Sequence, residues 1–400
     1  MTDIPSTNAD FFGPSFVSDP YPVLEEIRGL GPISYHEEFR QFILTGWRDC
    51  ARVLGNAETF ATDPTLFLSL FGDHTMESME RPRHDRVRGI WANDFQRATL
   101  ESQRALIVEV VDAYLTPFVE RLRDGENVDA VQDLTRHIPT MIIARMMGVP
   151  AEDHSQFAIW SDRMGDIIQG MQDKTPRGEA MVREGRQATS DLNDFLRQEI
   201  AQRRAQPHDD LIGHMVDSPV AGEHMTEGEV IASNTQLVFA GNETTAKLMS
   251  HVMLALALHP AVREQLRQDR SLIPQAIEEI HRWNTISQVT WRTVSEPDAI
   301  VAGHRFEPGS VLMLLKGAAN RDPARWDSPG SLDVRRESRG HLGFGFGMHS
   351  CLGLNLARLE VQIWLDRLLD ELPAWDVVDV DWGVGWTLRG PTRLSIRQGA

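Results

Sequence analysis

The chain has 400 residues and a formal net charge of -18, with 24% charged and 41% hydrophobic residues. This is an ordinary globular composition, and the chain is long enough to bury both a large core and a ligand. Its acidity argues against nucleic acid or an anionic membrane as the main partner.

No run of about twenty apolar residues offers a bilayer span. The start, MTDIPSTNADFFGPSF, lacks the basic-then-apolar pattern of a secretory signal. A cytoplasmic protein without a membrane anchor is therefore expected. The two cysteines, Cys50 and Cys351, exclude in practice a disulfide scaffold and rule out a four-cysteine zinc site. No repeat, low-complexity segment or Pro/Gly/Ser linker divides the chain, so residues 1–400 read as one domain with a loose start over about 1–18, monomeric by default.

In chain order, Tyr21 to Leu30 reads as a short helix, Ile33 to His36 and Gln41 to Leu44 as strands, and Trp47 to Leu54 as a helix. Asp63 to Glu80 reads as irregular, yet its LFLSLFGDH is apolar. It is either a loop tucked onto the core or a lid over an apolar pocket. From Arg83 to Arg204 the spacing is mainly helical, with Leu106, Val110, Ala113 and Leu115 on one face. Helices continue to Trp283. Strand-like runs follow at Gln288 to Thr293 and Val311 to Leu315, then a long irregular stretch. A last helix starts after Cys351, and a hairpin around Gly390-Pro391 spans Trp382 to Ile396. The chain is mostly α with minor β near its end.

HLGFGFGMHSCLGLNLARLE holds the most information. Gly343, Gly345 and Gly347 alternate before Cys351, and Gly353 follows. A dinucleotide loop is rejected, because Gly345 onward gives Gly-x-Gly-x-x-Ser with no buried strand before it. Cys351 is then either a small buried hydrophobe or a metal ligand, with the glycines letting backbone pass close to a flat ligand. Backbone N–H groups at a helix start would favour its thiolate.

Phe344, Gly347, His349, Cys351 and Gly353 stand at the spacing of the cytochrome P450 haem-binding signature, and the segment resembles that family. His349 occupies a position often held by Arg, and can still donate to a haem propionate. The resemblance implies that Cys351 is the thiolate ligand of haem b (iron protoporphyrin IX), with dioxygen as co-substrate. It runs from about Asp19 to the end. It implies a mainly α triangular prism with a small β-rich region.

Three more constellations fit. Glu279 and Arg282, three apart on a helix over Ala276 to Trp283, are by themselves compatible with a surface ion pair. Their placement before the cysteine resembles the family's Glu-x-x-Arg motif. That implies a buried structural pair gripping the irregular stretch through Arg325 or Arg335.

VIASNTQLVFAGNETTAKLMSHVMLALALHP reads as one long helix, apolar on most sides and so buried. Its polar centre is either a kink with satisfied groups or a proton relay. Ala240-Gly241-x-Glu243-Thr244 resembles the family's acid–alcohol motif. Ala240 and Gly241 would leave room for dioxygen, Thr244 would hydrogen-bond it, and Glu243 would feed protons.

His84 and Arg88, four apart, are a solvated basic face or, by resemblance, haem-propionate ligands, as is Arg292. Gln236, Phe239, Gln288, Val289 and Trp386 are expected by family position to face the substrate pocket. Phe67, Leu70 and Phe71 are expected to cap it, and each of these residues is as compatible with core.

The implied activity is a monooxygenase that hydroxylates or O-demethylates a small apolar or aromatic substrate. The GWTLRGPTRLSI tail resembles that of members acting on small aromatic ethers and acids. With no flavin or iron–sulfur segment in the chain, electrons would come from a separate acidic ferredoxin, ahead of a flavodoxin, with its reductase. The carrier would dock on arginines such as Arg83, Arg335, Arg336, Arg339 and Arg358. A haem-thiolate peroxygenase and a non-enzymatic haem sensor are the alternatives. Neither needs the Glu243/Thr244 relay.

Overall fold

A computed structural model describes residues 4–399. The chain forms two compact units, each assembled from separate stretches of chain.

The first unit comprises Met1–Asp63, Glu278–Cys351 and Val384–Arg389. Its centre is a six-stranded sheet in the order Ser6–Thr7, Ile33–His36, Gln41–Leu44, Val311–Leu315, Val289–Val294 and Phe60–Ala61. Gln41–Leu44 runs antiparallel to Ile33–His36 and parallel to Val311–Leu315. The helix Trp47–Leu54 buries Cys50, Ala51, Val53 and Leu54. These join Ile33, Leu44, Phe60, Leu312 and Leu314 in one apolar cluster.

The start of the chain is not loose over the described residues. Ser6–Thr7 pairs in parallel with Tyr35 and His36, and Pro14–Ser18 is a helical turn. Phe11 and Phe16 are buried. Both rings lie against Trp386, at centroid separations of 4.8 and 5.8 Å. Burial of two aromatic rings offsets part of the chain entropy that ordering this segment costs.

The second unit comprises Pro64–Ile277, Leu352–Gly383 and Gly390–Ala400, and is mainly helical. Its longest element is the helix Glu227–Leu258, of 32 residues, which at 1.5 Å per residue is about 48 Å long. A reciprocal cap starts it. Thr226 Oγ1 accepts from the Glu229 N–H, and Glu229 returns a bond to the Thr226 N–H. Residues on all sides of it are buried, as its all-round apolar sequence predicts. The helix Arg104–Arg123 also forms, but its buried face is Ile107, Val110, Val111, Leu115 and Phe118 rather than one containing Ala113, which is exposed.

Two other elements differ from expectation. Thr65–Phe71 is a short helix, not a loop, closed by Gly72 in the left-handed region at φ 86°. A Pro before a helix and a Gly after it are the ordinary punctuation of such an element. The C-terminal hairpin is wider than read: Trp375–Asp381 pairs with Arg393–Gln398, which also pairs with Val128–Asp129.

Candidate active site

The cysteine loop belongs to the first unit. Leu342–Phe344 and Gly347–His349 each make one tight helical turn. Between them Gly345 (φ 71°) and Gly347 (φ 74°) adopt left-handed backbone, which glycine reaches at low cost. A Cβ at Gly347 would lie 2.5 Å from the Leu54 carbonyl oxygen. The Cys351 N–H donates to the Phe344 carbonyl at 2.8 Å, closing the loop so that Cys351 is exposed. The next helix, Leu354–Glu371, starts three residues after the cysteine. Gly353 has open space around it.

The two cysteines differ sharply. Cys50 is fully buried, and burial pushes its thiol far above the ordinary range. Its sulfur donates to the Leu44 carbonyl. Cys351 is the exposed thiol of the two, and a soft sulfur on a glycine-rich turn suits haem iron as a donor.

The loop is anchored from behind. Glu279 and Arg282 are both 0% exposed and make a two-pronged pair, 2.7 Å for each prong. Arg282 also donates to the carbonyls of Asn320 (2.8 Å) and Pro329 (2.9 Å). Glu279 accepts from the Asp333 N–H, from Ser338 and from Arg336 at 3.1 Å. The gripping arginine is thus Arg336, not Arg325 or Arg335. Arg325 lies over the Trp47 and Trp326 rings, and Arg335 is exposed. Asn320 passes the restraint on, because its Oδ1 accepts from the Leu342 N–H at 2.6 Å at the start of the cysteine loop. Phe344 packs edge-on against His281 at 4.5 Å.

In the second unit, the Glu227–Leu258 helix carries the acid–alcohol residues. The Thr244 hydroxyl donates to the Ala240 carbonyl at 2.9 Å. Ala240 is exposed on a helix otherwise largely enclosed. Asn242 donates to Ser161 at 2.6 Å. Glu243 pairs with Lys247 at 2.6 Å, a partner that sequence reasoning did not single out although the i,i+4 spacing was in view.

The candidate propionate ligands are divided between the units. His84 and Arg88 share the helix Arg83–Trp91. His84 bonds Asp85 at 2.8 Å, which helps hold that carboxyl below its usual range. Arg292 is buried on Val289–Val294 and donates to the Trp291 carbonyl. His349 sits in the cysteine loop.

Of the residues expected to face substrate, Phe71 and Phe239 come together, with ring centroids 5.7 Å apart. Gln236 is buried, and its Oε1 has no hydrogen-bond partner. Val289 is buried in the sheet opposite Leu315. Gln288 donates to the Thr285 carbonyl at 2.6 Å and fills the space beside Gly317. Trp386 packs among Phe11, Phe16 and Trp291. Gln288, Val289 and Trp386 all belong to the first unit.

Comparison with known proteins identifies the family. The family model described as Cytochrome P450 matches residues 40–373. The chain is 31% identical over 377 residues to the biotin biosynthesis cytochrome P450 of Bacillus subtilis (strain 168), covering 92% of each chain. It is 29% identical to the vitamin D3 dihydroxylase of Streptomyces griseolus, covering 99% of this chain and 97% of that protein. Among solved structures, P450BioI in complex with hexadec-9Z-enoic acid ligated acyl carrier protein is similar, with a TM-score of 0.87 at 28% identity, covering 96% of this chain and 99% of that one.

The chain belongs to the cytochrome P450 family. It is a P450 monooxygenase with the mainly α fold of that family, and the family implies haem iron and the use of dioxygen. Among the described residues, no helix is long and apolar enough to cross a membrane.

Removing one partner of a buried ion pair leaves the other charge uncompensated. Glu279→Gln should therefore cost about 3–5 kcal/mol of stability, measured as a lower denaturant midpoint with faster loss of haem. The exposed Arg335→Gln should stay within about 0.5 kcal/mol of the parent.

Proposed function

We propose that this chain inserts one oxygen atom of dioxygen into a small apolar or aromatic molecule, by hydroxylation or O-demethylation. Cys351 would hold the iron of haem b, and a separate ferredoxin in the cytoplasm would supply the electrons. The observation that carries the reading is the exposed Cys351 thiol on its anchored glycine turn. Bound there, haem would supply oxygen activation, with thiolate electron density favouring O–O cleavage. His84, Arg88, Arg292 and His349 would hold the propionates, since cationic donors suit buried carboxylates.

On this reading Phe71 and Phe239 wall the substrate side of the second unit, and Gln236 offers a buried carbonyl oxygen to a substrate donor. Such a lining excludes water and selects apolar molecules. Two similar proteins carry names consistent with that selection: one is a vitamin D3 dihydroxylase, the other was solved with a hexadecenoyl carrier. Thr244 and Glu243 hold the protons consumed when the second oxygen atom becomes water.

The reduced protein with carbon monoxide should show the red-shifted absorption band of thiolate ligation. Cys351→Ser should lose that band and Cys50→Ser should keep it. If both variants keep it, the ligand is another residue.

Thr244→Ala should bind haem and substrate normally yet divert reducing equivalents to peroxide or water. Product formed per electron is the quantity to measure. An unchanged ratio would remove the relay and favour a peroxide-driven reaction.

Electron delivery is tested best away from two arginines that the sequence alone suggested. Arg83 is paired with buried Glu229, and Arg336 with buried Glu279. Reversing either charge disturbs the fold. Arg335 and Arg339 are exposed beside the cysteine loop. Arg335→Glu and Arg339→Glu should slow reduction by an acidic ferredoxin and leave dithionite reduction unchanged. The carrier-driven rate of the parent should fall as salt screens the encounter.

A further inference from the structure

Lysine is scarce in this chain. Of 40 Lys and Arg residues only Lys174, Lys247 and Lys316 are lysines. Two of the three, Lys247 and Lys316, are buried. Lys316 donates to Ser287 at 2.7 Å. Lys247 lies within the Glu227–Leu258 helix, where an ammonium costs several kcal/mol unless it is paired.

Its partner is Glu243, one turn earlier, at 2.6 Å, with side chains 8% and 14% exposed. The lysine stem is also fixed from outside its helix. A Cβ at Gly390 would lie 2.6 Å from Lys247 Cγ and 2.8 Å from its Cβ, so the stem occupies the space that glycine leaves.

Glu243 has its second oxygen, Oε2, buried without a hydrogen-bond partner. That oxygen faces Gly165 on the helix His154–Gln172, where a Cβ would lie 3.5 Å away. Asp162 and Asp166 flank this glycine. Burial raises both carboxyls above their usual range, and for Asp166 the like charge of Glu243 adds to it. Arg136 pairs with Asp162 at 2.8 Å. Arg163 pairs with Glu184 at the exposed rim, and His137 stacks on Tyr114. The charged environment of Glu243 is therefore one buried cation on its own helix and two carboxyls, partly neutralised by Arg136, on the facing helix. The Thr244 hydroxyl, bonded to Ala240, does not compete for it.

We propose that Lys247 is a positioning residue for proton delivery, holding Glu243 toward the His154–Gln172 helix so that protons enter through Asp162 and Asp166. This rests on the reading of Glu243 as the acid of the relay. One proton leaves an Asp166 carboxyl and joins Glu243 Oε2. Asp166 is then recharged from solvent, to which it is partly exposed. Only O–H bonds change, and no electrons move.

The test compares holoenzyme variants Lys247→Met, Lys247→Arg, Asp166→Asn and Glu243→Gln. In resting protein, the Glu243 carboxyl is followed by infrared titration, assigned as the band missing from Glu243→Gln. Loss of an adjacent cation should move that titration up in Lys247→Met, and loss of a like charge should move it down in Asp166→Asn. Lys247→Arg should stay near the parent. General disruption of packing would not give shifts of opposite sign.

Under turnover, product per electron should fall about tenfold in Lys247→Met and recover in Lys247→Arg. A parental titration and parental coupling in Lys247→Met overturn the proposal. Should Lys247→Met fail to hold haem, an unmoved titration in Asp166→Asn overturns it instead. If Glu243→Gln couples electrons to product as the parent does, the relay reading itself fails. Impaired Glu243→Gln with parental Lys247→Met leaves the relay standing and removes only the role of Lys247.

Discussion

The buried Glu279–Arg282 pair is the constraint on which the first unit depends. Neither residue has solvent to satisfy it, so every remaining donor and acceptor must find a protein partner. They find them in the irregular stretch between Asn320 and Ser338. A segment with little secondary structure thereby acquires a defined path, because its own carbonyls and N–H groups complete the solvation of two charges. Asn320 then fixes Leu342, and Leu342 begins the turn that presents Cys351. The geometry of the candidate ligand is set some seventy positions away in sequence.

The second unit solves a different problem. A helix of 32 residues buried on nearly all sides is stabilised by apolar packing, which is indifferent to chemistry. Its polar residues are the exceptions, and three at its centre are held by something specific: Asn242 by Ser161, Thr244 by its own backbone, Glu243 by Lys247. Glu243 Oε2 and Asn242 Oδ1 are the incomplete parts of this set, each buried without a hydrogen-bond partner. Incompletely satisfied polar groups cost stability, and they occur where a protein uses them.

Much of this was legible in the sequence. Short strand-like runs marked Gln41–Leu44 and Val311–Leu315, and motif spacing singled out Cys351, Glu279, Arg282, Glu243 and Thr244 as candidates. What was missed follows a pattern. The stretch after Asp63 was read as a loop because its apolar run is short, although Pro64 and Gly72 bracket one helix. The start was read as loose although Phe11 and Phe16 are too apolar to be left in water. The gripping Arg336 depends on the path of an irregular chain, which no periodicity encodes. The neighbours of Trp386, Phe11 and Phe16, lie near the other end of the chain, where no local pattern points to them.

The scarcity of lysine has a practical side. Lys247 and Lys316 are enclosed, and only Lys174, in the connection after Gln172, is exposed. Amine-directed reagents would therefore find a single lysine on the described surface. Attachment to an electrode or bead through that residue would hold every molecule by the same point on the second unit.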